Sequence, residues 1–436
     1  MAVFRLSVPA AFTWSVLLIA LHLANNGRVV AQSHDNKKGP AYTSPPENDK
    51  SFPLMGEFAG QIKSGEDTQP LALQIRPIAG NQFQAMAYKG GLPGQPDHEP
   101  EAMRLIGLLS GESVILSGGP WAIFVDADGC SIVSSSGEML GRLDRIERQS
   151  PTLGAPAPEN ATVLFDGEAL DHWVGAQRTD NGLLKQGATL RPMFQDFDLH
   201  VEFRLPYMPL ADGQSRGNSG LYLQSRYECQ ILDSFGTERM FNGLGALYRQ
   251  KSPDVNMAFP PLTWQTYDVR FTAPRWANDG TKIRDAHITS WVNGVKVQDD
   301  VALPTKTGAG KQEEPLLLPI LFQDHGDPVR FRNIWIIDRG LSSAEFPVMA
   351  TEQQQQAAAS VGWESQPKPE GEQAKDESKS DGGDEEAKQA DDKESDDKPQ
   401  PSDEDPSGSE GPSSEDSAAA DQSDAPSKEN SESKSE

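Results

Sequence analysis

From Ser51 onward the chain is built of short runs in which apolar and polar residues alternate, broken by glycine. A period of two marks strands half-buried in a sheet, because successive side chains point to opposite faces. Eight such runs fill 51–148: GEFAGQI, LALQIRPI, FQAMAYKG, MRLIGLL, SVILS, WAIFVDADG, CSIVSSSG and MLGRLDRIER. Gly80-Asn81, Gly90-Gly91, Gly111, Gly118-Gly119, Asp128-Gly129 and Gly137 supply the turns. Short strands at this spacing predict a small antiparallel sandwich or barrel. Gly90-Gly91-Leu92-Pro93-Gly94 lacks the Lys-Ser/Thr ending of a phosphate loop and no helical pattern follows it, so it reads as a hairpin connection. No catalytic constellation stands out in this region.

Residues 149–160 contain three prolines and read as a linker. Alternation then resumes at Val163–Gly167, Asp198–Arg204, Ser219–Gln224, Tyr227–Asp233, Gln265–Thr272, His287–Val292, Gly294–Gln298 and Val329–Asp338. Asn293-Gly294 supplies the positive φ of a two-residue hairpin turn. Amphipathic helical patterns are nearly absent. The prediction over 161–347 is one large all-β, two-sheet sandwich of jelly-roll type.

The two ends differ from this body. Arg5 precedes an apolar stretch from Val8 to Leu23, and Val29-Val30-Ala31 offers small residues at a cleavage point. The strongly apolar core is shorter than the roughly 20 residues of a spanning helix. Residues 1–31 therefore read as a secretory signal peptide, with 32–50 as a polar linker. The expected location is periplasmic or extracellular, with no membrane-spanning segment left after cleavage.

The other end, 348–436, is a low-complexity acidic tail. From Ser365 onward it holds 24 acidic residues against 8 lysines, which supplies 16 of the 26 net negative charges, and no aromatic residue. Such a segment cannot offset its chain entropy by burial and is expected to be disordered. With the charge acidic and no basic patch, nucleic-acid binding is excluded as a function class. Cys130 and Cys229 fall in different predicted domains and read as buried thiols rather than a disulfide scaffold.

Candidate chemistry concentrates in Arg216–Gly236, RGNSGLYLQSRYECQILDSFG. In the second strand Tyr227, Cys229 and Ile231 share one face, and Glu228, Gln230 and Leu232 the other. A carboxylate beside a carboxamide can hold a sugar, a metal or a proton in transfer. It also suits a plain solvated face, and the strand alone leaves both readings open.

The stretches LFDGEALDHW, GNSGLYLQ, YECQILDSFG, GALYRQKSPDVN, WQTYDVRF and LFQDHGDPVRFRNIWI resemble the 3-keto-disaccharide hydrolase family. The resemblance runs from about 162 to 339, with the motifs in the family's order, and leaves the first domain unexplained. Cys229 stands where the family usually has an aliphatic residue; facing the core, it should be harmless. The resemblance implies a concanavalin-like sandwich that hydrolyses glycosides oxidised to a ketone at C3. The ketone acidifies the C2 proton, a base removes it, the C1 substituent leaves by elimination, and water adds. This route needs one placed base and a group to neutralise the enolate oxygen, rather than two carboxyls.

With the resemblance in hand, Glu228 is the candidate base or metal ligand, with Gln230 beside it to orient the sugar. His325, in the loop Gln323-Asp324-His325-Gly326, is the candidate proton carrier or enolate stabiliser, set against a plain exposed histidine. Arg332 would pair with Glu228 or hold the keto oxygen. Asn218 and Gln323 join the substrate-binding set. Asp233 either supports the site or caps its turn. Tyr222 and Trp264 offer aromatic faces for stacking, a use that competes with core packing.

Carboxylate and carbonyl oxygens suit Ca²⁺ rather than zinc, although no twelve-residue loop or His cluster calls for it. Two alternatives stay open: a non-catalytic carbohydrate-binding module, and a conventional β-glycosidase of laminarinase type, for which Gln230 is a poor second carboxyl.

Overall fold

The computed structural model of the chain describes residues 38–340. The expected signal peptide and acidic tail lie outside the described residues. Among those described there is no α-helix, only 3₁₀ turns at Phe52–Leu54 and Gly213–Ser215, and no helix long and apolar enough to cross a membrane.

The eight runs of the first region are eight antiparallel strands between Gly56 and Ile146. Each pairs with the next, and Met139–Ile146 returns to Gly56–Ser64, so the sheet closes into a barrel. Closure leaves no unpaired edge to recruit another chain. The inward positions are the apolar ones: Phe58, Leu73, Ile75, Phe83, Leu116, Ile123, Cys130 and Leu143 are all fully buried. Each such large side chain contributes roughly 1.5–3 kcal/mol by leaving water.

One outer face of the barrel is covered as well. Glu57, Gln74, Arg76 and Gln84 are buried, and buried polar groups need partners. Some lie across the boundary with the second region. Arg76 donates to Asp212 over 3.1 Å and Gln84 to the Gly236 carbonyl over 3.0 Å. Arg216 donates back to the Pro77 carbonyl over 3.0 Å. The barrel thus braces Asp212–Gly217 and Asp233–Gly236, the segments flanking the candidate strands.

The second region is a sandwich. Its five-stranded sheet runs in the order Trp173–Val174, Ala188–Leu190, Leu321–Phe322, Ser219–Leu223, Tyr227–Ile231. The seven-stranded sheet follows the order Leu184–Lys185, Arg330–Gly340, Asp196–Arg204, Trp264–Thr272, Ala286–Val292, Val295–Leu303, with Thr162–Phe165 also pairing Arg330–Gly340. Leu221, Tyr227, Cys229 and Ile231 from the first sheet meet Phe203, Tyr267, Phe271 and Ile288 from the second in one core. Asn293 and Gly294 make the expected hairpin turn, at φ 51° and 78°. Both cysteines are free and buried.

The 149–160 segment is an ordered strap on the outer face of the seven-stranded sheet. Thr152 donates to Asp268 over 2.9 Å, the Gly154 N–H to Glu202 over 2.5 Å, and Asn333 to the Ala155 carbonyl over 3.0 Å. Beneath it His200 bonds Asp268 at 2.6 Å and stacks on Trp335, while Arg332 donates to Glu202 over 2.7 Å.

Candidate active site

The strand Tyr227–Ile231 places Glu228 and Gln230 on the face away from the core. The turn before it sets the geometry. Gln224 and Ser225 both take the left-handed conformation, at φ 47° and 53°, without a glycine. Their side chains hold the strain, Gln224 donating to the Phe194 carbonyl over 3.0 Å and Ser225 to that of Pro319 over 2.7 Å. The tight turn brings Tyr222 opposite Glu228 and Gly220 opposite Gln230.

Glu228 is 3 % exposed. Its Oε2 accepts from the Tyr222 hydroxyl over 2.8 Å. The Gln230 amide, turned over, donates to the Ser219 carbonyl over 2.9 Å and to Glu228 Oε1 over 3.0 Å. A β-carbon on Gly220 would lie 2.7 Å from Glu228 Oε1 and 3.3 Å from Gln323 Oε1; one on Gly308 would meet the Tyr248 ring at 2.8 Å and Glu228 Oε2 at 3.2 Å. The carboxyl therefore needs the bare backbone of both glycines.

Loops close around it. Tyr248 N–H donates to the Glu228 carbonyl over 3.2 Å, and Glu228 N–H to Thr307 Oγ1 over 2.6 Å. The buried Arg226 pins the covering loop through the carbonyls of Gln312 and Leu316, both at 2.8 Å. Gly308 and Ala309 are exposed and Tyr248 and Gln323 half-buried, so the carboxyl lies just under the surface.

Burial raises the Glu228 carboxyl from 4.5 to about 7, and the Tyr222 hydrogen bond, which favours the charged form, opposes it only partly. Burial and the neighbouring carboxylate together push the Tyr222 hydroxyl well above its ordinary range. Gln323 brings an acceptor to the same place: its Oε1 is buried with no hydrogen-bond partner. A buried acceptor without a donor is costly, and beside a carboxyl that can take a proton it suits a sugar hydroxyl.

Of the residues singled out in the sequence, Glu228, Tyr222, Gln230 and Gln323 come together. Asn218 adjoins them and has a turn role, its Nδ2 donating to the Gln214 carbonyl and its N–H to Asp327, both at 2.8 Å. His325 sits on the exposed loop two residues beyond Gln323, with its carbonyl accepting from Lys38. Three residues lie elsewhere. Asp233 forms a fully buried pair with Arg216 at 2.6 Å. Arg332 is on the seven-stranded sheet and pairs with Glu202, not Glu228. Trp264, on that same sheet, carries the guanidiniums of Arg332 and Arg204 at 4.0 and 5.0 Å from its ring centre. Tyr222 is not a stacking platform, because its ring is buried and its hydroxyl is committed.

Tyr248, Thr307 and the two glycines were not apparent in the sequence reading. Tyr248 lies in GALYRQKSPDVN and Gly220 in GNSGLYLQ, but only the fold shows that they meet Glu228. Among the described residues no group of three or more His, Cys, Asp or Glu is gathered as a metal site, so Ca²⁺ finds no carboxylate cluster here.

A buried, proton-accepting carboxyl on one sheet of such a sandwich fits the class of carbohydrate-active, hydrolase-like proteins. Residues 160–337 match the family model described as the 3-keto-alpha-glucoside-1,2-lyase-like domain, and through them the chain belongs to that family. A solved structure from Parabacteroides distasonis ATCC 8503, provisionally named a glycosyl hydrolase, is 32 % identical, with 42 % of this chain and 85 % of that one covered at a TM-score of 0.38. A second from the same organism, named alike, is 18 % identical over 42 % and 95 %, at 0.30. No curated protein matches the chain.

Proposed function

We propose that the chain cleaves glycosides already oxidised to a ketone at C3, with Glu228 as the base that removes the C2 proton. The observation that carries this is one buried carboxyl raised to about 7, matched to accepting a proton near neutral pH. Laminarinase-type hydrolysis asks for a second carboxyl about 5–5.5 Å or 6.5–9.5 Å away. The groups gathered around Glu228 are Tyr222, Gln230, Tyr248 and Gln323, none of them acidic in that sense.

The electrons balance through a single base. Glu228 takes the proton from C2, and the C–H pair becomes the enolate conjugated with the C3 oxygen. That pair then forms the C1–C2 double bond as the C1–O bond breaks, and the leaving oxygen acquires a proton. Water adding at C1, with a proton returning to C2, gives the free 3-keto sugar. We assign Gln323 Oε1 to a sugar hydroxyl and His325, from the exposed loop, to proton delivery at the leaving oxygen. We also propose that the protein acts outside the cytoplasm, in keeping with its N-terminal apolar stretch.

The test is the full chain with a 3-keto-disaccharide in D₂O, followed by mass spectrometry. Free 3-keto sugar labelled at C2 is expected, and neither product nor label from Glu228→Gln. Tight binding without turnover would show a binding module instead. Cleavage of an unoxidised glucan would show a conventional glycosidase.

A further inference from the structure

A second site stands apart from Glu228. Between the barrel and the sandwich opens a cleft of about 1010 Å³, with Arg145 and Arg148 on the barrel side, Arg204, Leu262 and Arg330 on the sandwich side, and the acids Glu57, Glu147 and Asp180 also in its lining. Arg204 and Arg330 are direct cross-strand partners in the seven-stranded sheet. Like charges in that register repel, so the pair costs stability unless something lies between them.

Among the described residues no carboxylate pairs with either. Arg204 donates to the Thr43 carbonyl over 3.3 Å, and Arg330 to Gln186 Oε1 and the Val329 carbonyl, both at 3.0 Å. Several other arginines find acids: Arg148 meets Glu57, Arg216 meets Asp233, Arg275 meets Asp196 and Arg332 meets Glu202; Arg145, in the same cleft, donates only to carbonyls among the described residues. Burial lowers both guanidiniums, and a neighbouring arginine lowers each further, Arg332 for Arg204 and Arg204 for Arg330; an anion would reverse that.

The wall beside them is strained. Leu262 holds φ at 68°, a conformation that a branched side chain disfavours. Its N–H is fixed to the Leu205 carbonyl at 2.9 Å, so the Pro260–Thr263 turn is held against the cleft.

We propose that this cleft binds an acidic saccharide, with Arg204 and Arg330 closing on its oxyanion, a carboxylate or a sulfate ester. The guanidinium fork suits either group. That the anion is carried on a sugar rests on the carbohydrate reading of the sandwich; that an anion is held does not. The cleft would then recruit an uronic or sulfated portion of a glycan, separately from the sugar presented to Glu228.

Titration calorimetry on the full chain tests this with trigalacturonate, a sulfated chondroitin disaccharide, neutral maltotriose and sodium sulfate. At least one acidic saccharide should bind, about tenfold or more tighter than maltotriose and than sulfate alone. The double variant Arg204→Gln/Arg330→Gln should lose about tenfold or more of that affinity. Glu228→Gln should bind unchanged, so failure of the catalytic reading and failure of this one look different. Where the double variant does not fold, Arg330→Lys serves: it keeps the charge, loses the fork, and should still weaken binding. Equal affinity for maltotriose, no binding of either acidic saccharide, sulfate binding as tightly as the saccharides, or variants with unaltered affinity would each overturn the proposal.

Discussion

Tyr222 donates its hydroxyl to Glu228 Oε2 over 2.8 Å from the position directly opposite on the neighbouring strand. This bond stabilises the ionised carboxyl, whereas burial stabilises the neutral one, and burial wins, leaving the group at about 7. The balance is adjustable at the Tyr222 hydroxyl. In Tyr222→Phe the opposing bond is gone and the Glu228 pKa rises above about 7. A hydrogen bond to a charged group is worth about 1.5–3 kcal/mol, or about one to two pH units. The acid limb of kcat/KM should move up by that amount, with activity at pH 6 falling more than at pH 9. An unmoved limb would mean that some other group governs it.

Gly220→Ala tests the same carboxyl from beneath. The added methyl would sit 2.7 Å from Glu228 Oε1 and 3.1 Å from its Cγ, closer than real contacts allow. Either the carboxyl swings away or the strand shifts. Overpacking costs about 1–3 kcal/mol, and misplacing a base by about 1 Å can cost about 10²-fold in rate. Turnover should therefore collapse while a thermal melt shows only that modest loss. Full activity in Gly220→Ala would move the base away from Glu228.

The strands were legible where alternation ran five residues or more and ended near a glycine or a proline. All eight barrel runs and the longer sandwich strands meet that condition. Trp173–Val174, Ala188–Leu190 and Leu321–Phe322 do not: two or three residues carry no period, and they exist because neighbouring strands pair with them. The site was legible to the same depth. Alternation put Glu228 and Gln230 on one face, and that is where they are. It could not tell which sheet faces which way, so Trp264 and Arg332, equally polar-faced in sequence, belong to the far side. Residues 149–160, read as a linker from their prolines, instead form the strap whose Gly154 N–H covers Glu202.

Asp233 separates a supporting role from a sugar contact. Its carboxylate and the Arg216 guanidinium are both wholly buried at 2.6 Å, and Arg216 also ties the barrel through Pro77. Removing one charge strands the other, which costs about 3–5 kcal/mol. Asp233→Asn should lose that much in urea unfolding, with KM for a keto-disaccharide nearly unchanged in the folded protein. A raised KM at unaltered stability would return Asp233 to the substrate.

Two glutamates give stability opposite pH dependences. Burial alone would raise Glu202, but hydrogen bonds from His200, Asn333, Arg332 and the Gly154 N–H outweigh it and hold the group at about 2, down from 4.5. The unfolded chain therefore binds that proton more readily, so the contribution of Glu202 is present above 4.5 and is lost as pH falls toward about 2. Glu228 runs the other way. Raised from 4.5 to about 7, it keeps its proton in the folded state, so its contribution is present below 4.5 and fades as pH rises through about 7. Each shift corresponds to roughly 3–4 kcal/mol. In urea titrations Glu202→Gln should lose stability at pH 7 and approach the parent near pH 2. Glu228→Gln, with no charge to bury, should exceed the parent at pH 8 and converge with it near pH 4. A Glu228→Gln variant less stable than the parent at pH 8 would show that the native carboxylate is already well solvated or paired, and a base poised near neutrality would lose its physical ground.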